Sequence, residues 1–131
     1  MTPSGGCLCG AVRWTADCAP RAVHHCHCGM CRRWTGAAFA TLVWLPRASV
    51  RWTTGEPAIF RSSPIAVRSH CASCGTPLYL AYDARDDLAL AVGSFDTPES
   101  VTPTHHYGGE GRLPWADIGA ALPVKATRER W

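Results

Sequence analysis

Cysteine clustering constrains this chain more than any other feature, because seven of its eight cysteines fall into three short segments. The segments are Cys7-Leu8-Cys9, Cys26-His27-Cys28-Gly29-Met30-Cys31 and Cys71-Ala72-Ser73-Cys74. Closed structural zinc sites take four protein ligands, whereas catalytic zinc sites take three and keep one position open. Two pairs and one triple therefore predict one closed metal site and one open metal site.

Disulfide bonds are the alternative use of clustered cysteines. Neighbours in Cys-x-Cys cannot pair with each other without strain. The N-terminal residues show no charged segment followed by an apolar one, so we expect no signal peptide and a cytoplasmic location. Clustered cysteines in a reducing compartment are more often metal ligands or redox groups than disulfides. Cys18 lies outside the clusters and is expected to be an ordinary, partly buried thiol.

Composition indicates an ordinary globular protein. The 131 residues fit a single domain, 1–131, and the hydrophobic content is 47%. The formal net charge is only +3 and the arginines are scattered, so no nucleic-acid partner is expected. No apolar run is long enough to cross a bilayer, so no membrane association is expected.

The apolar residues alternate with period two along most of the chain, which predicts short strands. We place them at Ala11–Thr15, Ala22–His25, Ala38–Trp44, Ser49–Thr53, Ala58–Arg61, Ala66–His70, Leu78–Tyr82, Leu88–Val92 and Thr104–Tyr107. Helical turns are predicted at Gly29–Trp34 and Asp117–Leu122, the second ended by Pro123. The expected fold is therefore all-β, a small domain of antiparallel strands clamped by metal.

On this map the two cysteine pairs look like halves of one site. Cys7 and Cys9 precede the first predicted strand, and Cys71 and Cys74 lie in the loop of a predicted hairpin. A glycine follows each pair at once, as expected where a metal-binding turn needs a positive φ. One zinc ion bound to all four would fasten the N-terminus to a distant hairpin and contribute folding free energy.

The triple differs, because the sequence dictates no fourth ligand for Cys26, Cys28 and Cys31. The candidates that could close the site are the histidines His24, His25, His27, His70 and His106. Without such a ligand, the fourth position is open to water or substrate, as in catalytic zinc sites. Thiolates also bind iron, so an iron–sulfur or redox protein is a further alternative.

The same segments resemble a known family. The runs Gly6-Cys7-Leu8-Cys9-Gly10-Ala11-Val12, Cys26-His27-Cys28-Gly29-Met30-Cys31-Arg32-Arg33 and His70-Cys71-Ala72-Ser73-Cys74-Gly75-Thr76-Pro77-Leu78 are similar to those of glutathione-dependent formaldehyde-activating (GFA) enzymes. Centromere protein V belongs to the same domain family. The likeness continues through Gly93-Ser94-Phe95-Asp96 and Pro103-Thr104-His105-His106 to Trp115 and Leu122-Pro123, so it covers nearly the whole chain in order.

This resemblance implies a β-tent fold with two Zn²⁺ sites, of which the second can be labile. Cys7, Cys9, Cys71 and Cys74 would hold the structural ion, and Cys26, Cys28 and Cys31 the catalytic ion. The implied activity is that of a carbon–sulfur lyase resembling S-(hydroxymethyl)glutathione synthase, which joins glutathione to formaldehyde. The alternative, suggested by the centromeric relative, is a non-catalytic zinc-binding interaction module.

Candidate substrate-binding residues follow from the same alignment of motifs. Arg32 and Arg33 come directly after the last cysteine of the triple and could bind a glutathione carboxylate, since guanidinium suits bidentate recognition. His106 matches a histidine that the family usually shows. Core packing is favoured for Trp34, Phe39 and Trp115. The glycine-rich segment from His105 to Gly111 is expected to form a loop rather than a wall of a substrate site.

Overall fold

The computed structural model describes residues 2–117 and 122–128 and consists mainly of short β-strands. The strands are β1 Ser4–Gly6, β2 Arg13–Ala16, β3 Ala22–Cys26, β4 Ala40–Pro46, β5 Val50–Thr54, β6 Ala58–Ser63, β7 Ala66–His70, β8 Pro77–Tyr82, β9 Asp87–Ala91 and β10 His105–Tyr107. A single α-helix in the described residues, α1, spans Gly29–Thr35, and the remaining helical turns are of the 3₁₀ type. The all-β prediction is confirmed.

Two sheets form the scaffold. The smaller has the strand order β1-β2-β5, and the larger has the order β10-β3-β4-β9-β8-β7-β6. All pairs are antiparallel except β10 with β3, which is parallel. The expectation of purely antiparallel strands is therefore wrong at this edge. After β9 the chain crosses back to the edge strand β3, and β10 runs beside β3 in the same direction. Just before β10, the Thr104 amide donates to the Val23 carbonyl at 3.0 Å.

The central strands of the larger sheet, β4 and β9, are buried on both faces, so they read as nearly continuous apolar runs. One face packs with the smaller sheet around Trp14, Val43, Leu45 and Leu90. The opposite face carries a second apolar cluster, which contains Trp44 and two cysteines of the triple. The triple therefore lies on the face of the larger sheet that the smaller sheet does not cover.

Most predicted strands are found within one or two residues of their expected bounds. Strand β1 was not predicted, because its three residues, Ser4–Gly6, carry no apolar alternation. The first predicted strand begins too early, since Ala11 and Val12 belong to the turn after Cys9 and β2 begins at Arg13. The helical turn predicted at Asp117–Leu122 falls mostly outside the described residues. None of the helices in the described ranges is long and apolar enough to cross a membrane.

Candidate metal centres

The four-cysteine cluster, Cys7, Cys9, Cys71 and Cys74, brings together the two predicted pairs. All four Sγ atoms lie within 4.8 Å of one another. The Sγ atoms of Cys7 and Cys9 are 3.6 Å apart, and those of Cys9 and Cys71 are 3.8 Å apart. Sulfurs around a tetrahedral zinc, each about 2.3 Å from the ion, lie about 3.8 Å apart. The donor set and its spacing therefore fit a closed structural ion.

Two tight turns aim these sulfurs at one point. The Cys7 amide donates to the Val12 carbonyl at 3.0 Å, and the Val12 amide donates to Cys7 Sγ at 3.3 Å. The glycine after each pair has the predicted positive φ, 82° at Gly10 and 80° at Gly75. The two turns are also joined directly, because the Leu8 amide donates to Thr76 Oγ1 at 3.0 Å.

Electrostatics at the four-cysteine cluster favour a thiolate at Cys74. Hydrogen bonds from the Thr76 hydroxyl and amide, together with the Cys9 amide, lower the pKa of Cys74 to about 5. The Ala11 amide would lower the pKa of Cys9, but its cysteine neighbours and desolvation prevail and raise it to about 11. Four thiols this close do not all ionise on their own, because neighbouring thiolates repel one another. A divalent ion bound to them would hold all four as thiolates.

The three-cysteine cluster, Cys26, Cys28 and Cys31, forms where β3 runs into α1. Cys26 ends the strand, and Cys28 caps the helix by accepting from the Cys31 amide at 3.3 Å. The three Sγ atoms lie within 4.8 Å of one another, and Cys26 and Cys31 are 4% and 1% exposed. A hydrogen bond from the Cys31 thiol lowers the pKa of Cys26 to about 6, while it raises the pKa of Cys31.

No histidine nitrogen of the described residues joins this cluster. Four of the five candidate rings are engaged elsewhere. His24 Nε2 accepts from Trp44 Nε1 at 2.8 Å, and His25 Nδ1 lies 2.8 Å from Thr41 Oγ1. His27 Nε2 lies 2.8 Å from His106 Nδ1. The donor set thus supplies three sulfurs to an ion, which fits the open type of zinc site.

A cleft of about 740 Å³ opens beside the three-cysteine cluster and is lined by its three residues. One wall consists of the rings of His24, Trp44 and Tyr82, with the Trp44 ring nearly parallel to the other two. His105 and Tyr107 of β10 extend this wall, with ring centroids 5.0 Å and 5.8 Å from that of His24. The expectation that this glycine-rich segment would not form a wall is therefore wrong. Parallel pairing with β3 orders its first three residues as a strand.

Charged side chains in the cleft are mostly paired. Asp87 is 2% exposed and accepts two hydrogen bonds from Arg85, both at 2.7 Å. Arg21 binds Asp86 at 2.8 Å and lies 3.5 Å from Asp87. The Arg85 guanidinium also covers the Trp44 ring, 4.5 Å from its centroid. The cleft therefore presents ring faces and paired charges on this side.

The predicted substrate residues do not line this cleft. Arg32 Nη1 donates to the carbonyls of His27 and Gly111, each at 2.6 Å, so it fastens the backbone. Arg33 is exposed on α1 and lines a separate pocket. His106 lies between two cleft-lining residues of β10, so its side chain points to the other face of the sheet and pairs with His27.

Other sequence predictions had mixed outcomes. Trp34 and Phe39 are half-buried, and the Phe39 ring packs on His25 and His27. Trp115 is 65% exposed, so the core role favoured for it is wrong. It lies beyond the 3₁₀ turn Gly109–Gly111, after which the described residues contain no further strand or helix. Cys18 is partly buried, and none of the eight cysteines, all in the described ranges, is disulfide-bonded.

Arg68 is the main site residue that the sequence analysis missed. It lies on β7, is 7% exposed, lines the cleft and places Nη1 3.5 Å from Cys31 Sγ. A usable signal was present in the sequence. Arg68 shares one face of its strand with Ala66, so a charge stands where the alternation demands an apolar side chain.

Comparison with known proteins agrees with this architecture. The model of the GFA family, glutathione-dependent formaldehyde-activating enzyme, matches residues 2–108, and the chain belongs to this family. The chain is 35% identical over 99 residues to an uncharacterized lyase of Schizosaccharomyces pombe. The matched region covers 75% of this chain and 72% of the relative. Both findings support a lyase-type enzyme.

The fold also has a solved counterpart. A crystal structure of a Rhodobacter sphaeroides protein, a structural genomics target, matches with a TM-score of 0.65. The match covers 79% of this chain and 99% of that chain at 19% sequence identity. At this identity the likeness concerns the fold alone.

Proposed function

We propose that this chain is a zinc-dependent carbon–sulfur lyase that joins a small thiol, such as glutathione, to formaldehyde or a related small aldehyde. The observation that carries the proposal is the position of the three-cysteine cluster, which lines a cleft of about 740 Å³ and offers three sulfur ligands. Family membership and the relative named as a lyase support the reaction class.

The two clusters have different roles in this proposal. The four-cysteine cluster holds a structural zinc that joins the β1–β2 turn to the β7–β8 hairpin. The three-cysteine cluster holds the catalytic zinc. When bound there, the ion supplies Lewis acidity, which lowers the pKa of a thiol and polarises a carbonyl. The proposed unit is one domain, 1–131, working in a reducing compartment such as the cytoplasm.

The reaction is an addition that is balanced without a redox partner. One S–C bond forms, the π bond of the aldehyde carbonyl opens, and one proton passes from sulfur to oxygen. Thiols already add to formaldehyde readily in water, so the protein contributes mainly by holding both reactants together. In the proposed site the ring wall of His24, Trp44 and Tyr82 orients the reactants and displaces water beside the three sulfurs.

In this proposal the residues that line the cleft contact the substrate, rather than Arg32, Arg33 and His106. Arg32 is occupied by two backbone carbonyls, and His106 is turned to the opposite face. The exposed residues of the cleft lining include two from β10, Tyr107, which is 60% exposed, and His105. We expect these two to contact the part of the thiol that extends out of the cleft.

Exchange spectroscopy tests the proposal directly. The zinc-loaded protein is mixed with glutathione and formaldehyde, and the exchange rate between free glutathione and its hydroxymethyl adduct is measured by NMR. We expect a rate above the uncatalysed reaction, at least tenfold lower in Cys28→Ser, because one ligand of the ion is weakened. Cys18→Ser is the matched control, since Cys18 belongs to neither cluster, and it should keep the wild-type rate.

Two outcomes would contradict the proposal. Wild-type protein with two zinc ions per chain and no rate increase would exclude this substrate pair. Equal rates for wild type and Cys28→Ser would exclude the three-cysteine cluster as the reaction site. Elemental analysis of the same samples identifies the metal, and iron in place of zinc would favour the iron–sulfur alternative.

The interaction-module alternative is supported by one surface feature. Strand β6 is an edge of the larger sheet and exposes Ile59 and Phe60, at 60% and 64%. An exposed apolar edge strand can pair with an extended segment of a partner protein. This alternative predicts that zinc-loaded protein lacks lyase activity altogether, so a rate increase in the exchange measurement would exclude it.

A further inference from the structure

Arg68 is a buried cation without a carboxylate partner. Its side chain is 7% exposed, and no Asp or Glu in the described part of the chain forms an ion pair with it. Each of the other two arginines in the cleft, Arg21 and Arg85, has an aspartate within 2.8 Å. Arginine is almost never fully buried unless its charge is balanced, because desolvating an unpaired ion is costly.

Arg68 instead contacts the three-cysteine cluster. Its Nη1 donates to Cys31 Sγ at 3.5 Å, its guanidinium lies 5.1 Å from the centroid of the Trp34 ring, and its buried Nε has no partner. The cation is therefore placed to act on the sulfurs rather than to form a salt bridge with a carboxylate.

A charge count explains why such a cation is needed. Three thiolates around one divalent ion leave a net charge of −1 in a largely buried position, and a guanidinium beside them restores neutrality. If a substrate thiolate became the fourth ligand, the centre would otherwise carry −2. Groups that contact metal ligands from outside commonly change metal affinity by about 10–100-fold.

We propose that Arg68 is a positioning residue of the three-cysteine centre, which orients Cys31 and offsets the excess negative charge of its three thiolates. This inference rests on the proposed function only in placing a metal ion at that centre. It requires neither glutathione nor aldehyde chemistry, so it can fail while the lyase proposal stands, and the reverse also holds.

A cobalt titration tests the role of the charge. Metal-free reduced protein is titrated with Co²⁺ against a competing chelator, and the thiolate-to-cobalt charge-transfer band reports the ions bound at each site. We compare wild type with Arg68→Met, Arg68→Gln and Arg68→Lys. Arg85→Met is the matched control, because Arg85 lines the same cleft but contacts Asp87 and Trp44 rather than a cysteine.

We expect both neutral variants to bind the ion of the three-cysteine centre about 10–100-fold more weakly, while the four-cysteine centre is unaffected. Arg68→Lys keeps the charge and should recover most of the affinity, but with a shifted band, because lysine lacks the planar fork that orients Cys31. Arg85→Met should bind both ions with wild-type affinity. Circular dichroism of each metal-free variant establishes that it is folded.

Several results would overturn the inference. Wild-type affinity in a folded Arg68→Met or Arg68→Gln protein would show that the centre does not need the charge. An equal loss in Arg85→Met would show that any cleft arginine has the same effect. Arg68→Gln retains a hydrogen-bond donor, so it decides the question if Arg68→Met does not fold. A loss of affinity in Arg68→Lys as large as in Arg68→Gln would also exclude charge compensation.

Discussion

At the scale of single residues, the glycine after each cysteine pair can be tested by a matched substitution. Gly75 has a φ of 80° and open space where a methyl group would stand, whereas Gly93 has the same open space without a positive φ. We expect Gly75→Ala to lower the free energy of unfolding by about 1 kcal/mol, because the left-handed conformation strains any residue with a Cβ. Gly93→Ala should leave it unchanged or slightly raised. Denaturant unfolding of the zinc-loaded proteins measures both, and equal stability of the two variants would contradict the argument.

The residue scale also shows where sequence reasoning succeeds. The positive φ of Gly10 and Gly75 was predictable, because a metal-binding turn imposes it locally. Adjacency to Cys31 in the sequence does not bring Arg32 into the cleft, since it says nothing about the direction of the side chain. The helix turns it toward the His27 and Gly111 carbonyls.

At the scale of elements, the first residue of β9, Asp87, pairs in the sheet and also lines the cleft. Its carboxylate is buried and bound by Arg85, and Arg21 lies nearby. The hydrogen bonds from Arg85 hold the pKa of Asp87 below its usual value. We expect Asp87→Asn to lower the free energy of unfolding at neutral pH by about 1–2 kcal/mol, since both arginines are half-exposed and solvent screens their charges.

The sign of the pH effect follows from the direction of that shift. Ionised Asp87 stabilises the fold at pH values above the ordinary carboxyl pKa of about 4, and the contribution disappears as the pH falls through the lower pKa of the folded state. The difference between wild type and Asp87→Asn should therefore be constant near neutrality and vanish in acid. Asp86→Asn is the control, because the Asp86 side chain is 81% exposed, and it should lower the free energy of unfolding much less than Asp87→Asn does. A difference that grows in acid would contradict this account.

The bounds of a strand could be predicted where a local sequence pattern specifies them. The pairing of a strand could not be predicted where its partner is distant in the sequence. The strand Ala66–His70 was predicted with the bounds that the structure shows, because turn residues precede it and the Cys71–Cys74 loop follows it. The parallel pairing of β10 with β3 joins His106 to His25, which the sequence separates by most of the chain. No local pattern in the sequence specifies that register. Neither the cleft wall nor the contact between His27 and His106 could therefore be predicted from the sequence.

At the scale of the whole molecule, the two cysteine clusters should differ in how far each supports the fold. The four-cysteine cluster joins segments that are 62 residues apart, at Cys9 and Cys71, and so connects the smaller sheet to the β7–β8 hairpin. The three-cysteine cluster joins residues within the single stretch from Cys26 to Cys31. In the chain-entropy description of cross-links, closing a loop of about 60 residues stabilises by about 4 kcal/mol and a loop of about 5 residues by about 2 kcal/mol.

Replacing one ligand in each cluster turns that difference into a measurement. We expect Cys71→Ser to lower Tm by about 15 °C and Cys28→Ser by about half as much, since 1 kcal/mol corresponds to about 4 °C for a domain of this size. Thermal unfolding of zinc-loaded, reduced protein followed by circular dichroism gives both values. Excess chelator is the control, because it removes the ions from every protein and should bring the three Tm values close together. A Tm loss in Cys28→Ser as large as in Cys71→Ser would mean that the three-cysteine cluster supports the fold as strongly as the four-cysteine cluster, against the division between a structural and a catalytic ion.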